Sequence, residues 1–370
     1  MGLPSNPGRL MAPRGPCLAT TRTASFGVRF GAPLLVTVAS LLAGSDPFVD
    51  GLLKIGFSAA DMSAVEKGSA VVKSPETPVR QELAHFGVVY IHAAPARLID
   101  QMRDIERFER GPGIRMIRRF SGVPRLEDLA SLELPAEDIE ALSQCRPGDC
   151  AVKLSAAAMS RFRTQVNWSS PDAARQANEV AREMILELVR TYQAKGNEGL
   201  GHNDDSSGPL DVAEQFRALL PADDLLPAPV PALIAHLEDY PRSRLPGADE
   251  FFYWSIVDFG LKPTIRVNQV TIHALRENPS GVSYAIAIKQ LYASHYLNAV
   301  LELRVLADDQ RRAGRHGSCL LSIVRSRNDG MTGFRGSFLR PIVRHRSRNA
   351  FRRYLEHVKR QVERASPDGP

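Results

Sequence analysis

The stretch Tyr296-Leu297-Asn298-Ala299-Val300-Leu301-Glu302-Leu303-Arg304-Val305-Leu306-Ala307 alternates with a period of two. Leu297, Ala299, Leu301, Leu303 and Val305 fall on one side, and Tyr296, Asn298, Glu302 and Arg304 on the other. That pattern predicts a strand with one face buried. Similar β-branched or aromatic runs lie on both sides of it: Phe251–Phe259, Thr264–Leu275, Val282–Tyr292 and Ser318–Arg327. Turn residues such as Asn278-Pro279-Ser280-Gly281 and the Gly314–Gly317 loop separate them, so successive hairpins and an antiparallel sheet are expected. The Val282–Tyr292 run is apolar on both sides and reads as a more central strand.

The segments beyond this sheet are helical or mixed. Pro341 can occupy the first turn of a closing helix whose apolar stripe is Ile342, Val343, Ala350, Phe351, Tyr354, Leu355, Val358 and Val362. Arg344, Arg348, Arg352, Lys359 and Arg360 take its wet face. Upstream, Phe86–Ile91 reads as a strand, Pro95 opens a helix through Phe108, and Ile114–Phe120 reads as a second short strand. Helical patterns over Asp172–Lys195, Val212–Leu220 and Ala232–Tyr240 place a helical insertion at about 125–249. Residues 46–80 are Pro/Ser-spaced and read as a linker, and 366–370 as a disordered tail. The fold class is α+β.

The 370 residues carry a formal charge of +6, with 44% hydrophobic and 24% charged residues, which excludes collagen-like, coiled-coil and wholly disordered chains. The charge is unevenly placed. Residues 1–45 hold Arg9, Arg14, Arg22 and Arg29 and no acid, followed by the apolar run Ala32–Leu42 and then Ala43-Gly44-Ser45. This order of basic, apolar and small residues predicts an export signal cleaved after Ser45, with an uncleaved anchor as the alternative. Without it the net charge is +2, divided between an acidic body at −6 and a basic region 325–370 at +8. A polarised molecule is expected, and nucleic acid is not, because no recognition motif accompanies the basic residues.

This order of elements resembles the START-like helix-grip fold, also called the SRPBCC or polyketide-cyclase-like superfamily. The resemblance rests on Gly87–Ile91 leading into Pro95-Ala96-Arg97-Leu98-Ile99, on the strands from Phe251 to Arg327, and on the helix from Pro341 to Ala365. It implies a curved antiparallel sheet gripping the C-terminal helix around an apolar cavity, and hence a hydrophobic small molecule or lipid as ligand. A core filled by the same side chains is the other outcome. The segment Arg118–Leu129, with Cys145-Arg146-Pro147-Gly148-Asp149-Cys150, looks like a pattern in exported bacterial proteins of unknown function.

Cys145 and Cys150 bracket a turn and are expected to form a structural disulfide in an oxidising compartment. Cys319 is expected as a buried free thiol, and Cys17 leaves with the signal. Tyr253, Trp254, His273, Tyr292, His295, Tyr296 and Asn298, with Asp258 nearby, lie on or beside the predicted strands and could line a cavity. His273 or His295 could serve as acid or base, or be held structurally by hydrogen bonds. Tyr253 and Trp254 could stack on a ligand or fill core. The sequence contains no phosphate-cradling Gly loop, GxSxG elbow, HExxH or telling carboxylate pair, so no cofactor and no metal are expected. The leading expectation is an exported, non-catalytic binding protein. The alternatives are a cavity enzyme of cyclase or hydrolase type, and an envelope protein that docks Arg344, Arg348, Arg352, Lys359 and Arg360 on an anionic membrane surface.

Overall fold

The computed structural model describes residues 47–220, 230–275, 282–309, 317–331 and 333–364; the expected signal segment and C-terminal tail lie outside them. Along the chain run α1 (Pro47–Lys54), α2 (Ala59–Glu66), β1 (Val71–Lys73), β2 (Glu82–Ile91), α3 (Pro95–Arg103), α4 (Ile105–Phe108) and β3 (Ile114–Arg119). Then come α5 (Ala136–Leu142), α6 (Ala156–Gln165), α7 (Ala173–Lys195), β4 (His202–Asn203), β5 (Leu210–Asp211), α8 (Val212–Arg217) and α9 (Val230–Asp239). The C-terminal part comprises β6 (Ala248–Val257), β7 (Thr264–Ala274), β8 (Val282–Ala293), β9 (Leu297–Asp309), β10 (Gly317–Asn328) and α10 (Gly333–Arg364).

Among the described residues, eight strands form one curved, unclosed antiparallel sheet in the order β1-β2-β10-β9-β8-β7-β6-β3. The five C-terminal strands pair as the hairpin meander that their β-rich runs and intervening turn residues predict. β2 joins this meander beside β10, from Ser318 opposite Ile91 to Arg327 opposite Glu82, and β3 joins beside β6. The helical segment 136–239 therefore leaves the sheet at its β3 edge and returns in the neighbouring strand. Gly196 ends α7 with φ 61°, and a Cβ there would overlap the Tyr240 carbonyl oxygen, so only glycine fits.

Helices cover both faces of the sheet. On one, Leu98, Ile99, Phe108, Phe351, Leu355 and Val358 pack against Val89, Ile272, Ile286 and Leu320. α10 meets β2 at Gly87, where a Cβ would collide with Leu355 Cδ1 and lie 2.9 Å from Phe351 Cε1. A large antiparallel sheet carrying a C-terminal helix is compatible with a helix-grip arrangement. On the other face, α1, α2, α8 and α9 supply Leu52, Met62, Phe216 and Leu237 against Ala287, Leu303 and Leu321. α7 supplies Ile185, Val189 and Tyr192 against Trp254 and Val267.

Three sequence expectations change. In place of a linker over 46–80 there are two helices and an edge strand, and Phe48, Leu52, Met62 and Val65 are almost wholly buried. These helices are short, and the Pro/Ser spacing belongs to the stretch after β1, so local pattern understated the segment. The polar side of β9 is also buried: Arg304 is 1% and Asn298 7% exposed. Alternation marks two sides of a strand, but a second helical layer covers the polar one, with Phe108 and Tyr354 over the Arg304 guanidinium. Finally, α10 begins at Gly333, and Pro341 lies inside it. Pro341 is exposed, so the backbone hydrogen bond it cannot make falls on the wet side of the helix.

Candidate functional site

The residues singled out from sequence do not converge on one cavity. Tyr253 and Trp254 are successive on β6 and point to opposite faces. Tyr253 joins the core under α3 and α10, while Trp254 is fully buried against α7 and donates Nε1–H to the Asp128 carbonyl at 2.9 Å. Both fill core. His273 lies near the far end of β7, opposite Ala248, half-buried. Burial, then neighbouring His236, lowers its pKa.

His295 is committed at both ring nitrogens. Nδ1 faces the Ala151 carbonyl at 3.0 Å and Nε2 faces the Asp138 carboxylate at 2.9 Å, and Asp138 has no exposed surface. Both ring nitrogens are engaged by these partners, so neither is free for a reacting group. His295 ties the segment bearing α5 to the sheet. Tyr296 adopts φ 60° in the β8–β9 turn, and its hydroxyl accepts the Lys262 N–H at 3.0 Å. Asn298 is buried in β9, and Asp258 pairs with Arg115 at 2.7 Å beyond the end of β6.

Cys145 and Cys150 form a disulfide, which fits an oxidising, exported setting. Cys319 is itself disulfide-bonded rather than free, and Cys17 lies outside the described residues. Of the basic residues on α10, Arg344 is engaged by Glu76 and the Ser74 carbonyl, and Lys359 by Glu363 and the Tyr90 carbonyl at 2.7 Å. Arg348, Arg352 and Arg360 are exposed.

Of the strand candidates, Tyr292 does face a cleft. This cleft of ≈ 350 Å³ lies between α6, α7, residues 199–203 and the β7–β8 end of the sheet. Its wall is mainly apolar, with Leu154, Phe162, Met184, Ile185, Leu188 and Ile265. The Tyr292 hydroxyl makes no hydrogen bond among the described residues; burial, then the Asp138 and Asp205 carboxylates, holds its pKa well above the ordinary phenol value. It therefore stays a protonated donor. The charged groups at the rim neutralise one another: Arg161 pairs with Glu183 and Glu187 at 2.9 Å each, and Lys153 with Asp205 and Asp329. A mainly apolar wall whose charged groups are paired suits a small, mostly apolar guest, and the volume falls in the usual range for small-molecule sites.

A second polar system is sealed in the interior. The Lys289 amine donates to the Tyr192 hydroxyl at 3.1 Å and to Asn197 Oδ1, and lies 3.8 Å from the Phe216 ring centroid. Tyr192 in turn donates to Gln269 Oε1 at 2.6 Å. Burial drives the Lys289 amine well below its ordinary pKa. Lys289 has no exposed surface and is not part of the cleft wall, so this network holds α7 to β7 and β8.

Among the described residues, no group of three or more His, Cys, Asp or Glu could hold a metal ion, and no helix is long and apolar enough to cross a membrane. Sequence reading overlooked the cleft residues on α7, because Met184 and Leu188 share the apolar stripe with the core residues Val180 and Val189. Periodicity separates wet from dry faces and cannot separate a filled interface from an open one. Comparison with protein-family models and with curated proteins finds no match.

Proposed function

We propose that this chain is an exported protein that binds a small, largely apolar molecule in the cleft between the helical insertion and the sheet. The observation that carries this reading is the apolar cleft itself, with the unengaged Tyr292 hydroxyl on its wall. The disulfide supports the exported setting. The helix-grip space is the less suitable site, because Phe351, Leu355 and Val358 pack directly on the sheet. Binding of 1-N-phenylnaphthylamine, followed by its fluorescence, tests the site. Ala157 is exposed and lines the cleft, so Ala157→Trp adds bulk without overpacking core. This variant should weaken the probe at least about tenfold with melting unchanged, and equal affinity in both proteins would refute the reading.

A second reading, docking on an anionic bilayer, is favoured by one surface. Phe338, Leu339 and Ile342 on α10 are 64%, 48% and 51% exposed, and Arg346, Arg348, Arg352, Arg353 and Arg360 are exposed on the same helix. Apolar and cationic groups together fit a negatively charged lipid surface. Flotation with phosphatidylglycerol vesicles should then show binding that falls steeply from about 50 to about 300 mM salt. Salt-independent flotation, or none, removes this reading.

A further inference from the structure

The connection from α9 to β6 aligns three side chains of complementary chemistry, away from the cleft. His236 is in the last turn of α9, Ser243 in the following loop and Glu250 on β6. His236 Nε2 lies 2.9 Å from Glu250 Oε1, and its Nδ1 lies 3.3 Å from Ser243 Oγ. An ionised carboxylate only accepts, so the ring proton sits on Nε2 and the Nδ1 lone pair faces the serine hydroxyl. The same Glu250 oxygen accepts from Thr271 Oγ1 at 2.9 Å and Gln269 Nε2 at 3.2 Å, which fixes the carboxylate. The edge-on Tyr240 ring, 5.8 Å from the imidazole, holds the histidine in plane.

The imidazole is buried, while Ser243 is half-buried and Glu250 is exposed, so solvent reaches the relay at the hydroxyl as well as at the carboxylate. The backbone N–H groups of Arg244 and Leu245 have no hydrogen-bond partner among the described residues. The N–H that follows a nucleophilic serine is a common donor to a developing oxyanion. The Arg244 side chain is exposed and forms no ion pair among the described residues, which leaves a free cation beside Ser243.

We infer that Ser243, His236 and Glu250 form a hydrolytic site for small carboxylic esters that carry an anionic group. Ser243 Oγ bonds to the ester carbonyl carbon, its proton passes to His236 Nδ1, and the carbonyl oxygen takes the negative charge toward the Arg244 and Leu245 N–H groups. Collapse breaks the bond to the alcohol oxygen, which leaves with the proton from Nδ1. Water then gives a proton to Nδ1 and bonds to the acyl carbon; the acyl–Oγ bond breaks, Oγ recovers the proton, and the carboxylic acid departs. Glu250 orients the imidazole and stabilises its charged form without taking the proton.

The full chain is treated with a biotinylated fluorophosphonate and digested, and the labelled peptide is mapped by mass spectrometry. Hydrolysis of 4-acetoxybenzoate and of phenyl acetate is measured alongside. Label is expected on Ser243, and Ser243→Ala should lose it together with at least about 100-fold in 4-acetoxybenzoate turnover, with the circular dichroism spectrum unchanged. Arg244→Gln should slow 4-acetoxybenzoate more than phenyl acetate, and Glu250→Gln should alter the pH profile of turnover. Absence of label on Ser243, or equal turnover by Ser243→Ala and the unaltered chain, overturns the inference.

Discussion

Arg304→Met lowers the stability of the chain by about 3–5 kcal/mol in urea unfolding, the loss characteristic of a broken buried ion pair. The guanidinium is 1% exposed and donates to Glu302 Oε1 at 2.6 Å and to the Tyr354 hydroxyl at 2.6 Å, with Glu109 Oε1 at 3.5 Å. The Tyr354 hydroxyl donates to Glu109 Oε1 at 2.6 Å, and Ser322 donates to Glu302 at 2.8 Å. One cation thus serves two carboxylates beneath α10, and links β9, β10 and the end of α4 to that helix. Methionine restores much of the volume but leaves the Glu302 and Glu109 carboxylates without their shared cation. The desolvation cost of the carboxylates is then the dominant loss, more than missing contacts. Adding Glu302→Gln to Arg304→Met should recover part of the stability, since it removes one uncompensated charge. If the double variant is no more stable than the single, the loss is one of packing and the electrostatic account fails.

The second large effect is an acid weakness centred on His85. This ring lies in β2 under α10, 5% exposed, with Nδ1 2.7 Å from Ser74 Oγ and Nε2 2.8 Å from Ser347 Oγ. Ser347 donates its own proton to the Val343 carbonyl at 2.7 Å, so it accepts from Nε2–H, and Ser74 donates to Nδ1. The neutral imidazole is therefore fully satisfied. Burial first, and then the Arg344 and Arg348 cations, push its pKa down to about 4 from 6.5. In the unfolded chain the same ring titrates near 6.5. Above that pH both states are neutral and the contribution to stability is complete. As pH falls from 6.5 toward 4 the unfolded state takes up the proton and the folded state does not, so stability declines. The total is about 3 kcal/mol, lost by the time pH passes the folded value. His273, whose pKa is also lowered, adds a decline of the same sign. The lowered carboxyls Asp61 and Asp128 act nearer their own unfolded values, at the acid end of this range. Urea midpoints of the unaltered chain and His85→Gln, taken between pH 7 and pH 4, isolate the histidine. The two curves should approach each other as pH falls; parallel curves would exclude His85 as the source.

Much of the fold was legible because its elements are locally coded. The alternation in Tyr296–Ala307, the β-branched runs Thr264–Leu275 and Val282–Tyr292, and the stripe of Asp172–Lys195 each state a pattern that one segment can satisfy alone. The candidate site was less legible. Tyr253 and Trp254 are neighbours in sequence and strangers in space, because the pleat sends them to opposite faces. His295 has the chemistry of an acid or base, but Asp138, 157 residues away, occupies one of its nitrogens. His236, Ser243 and Glu250 sit in a helix end, a loop and a strand start, and no fixed-spacing motif joins such different elements.

The amino-acid sequence by itself determined the α+β class, the C-terminal meander, the closing helix and the Cys145–Cys150 pairing. Each of these follows from side-chain period, turn residues or short chain separation. Only the tertiary structure decided that β2 docks beside β10, that residues 47–73 are part of the core, and that Arg304 and His85 lie in the dark beneath α10. Those outcomes depend on which surfaces are covered from both sides. Coverage is a property of the assembled layers, and it converts residues of ordinary wet-face type into buried charges and committed histidines.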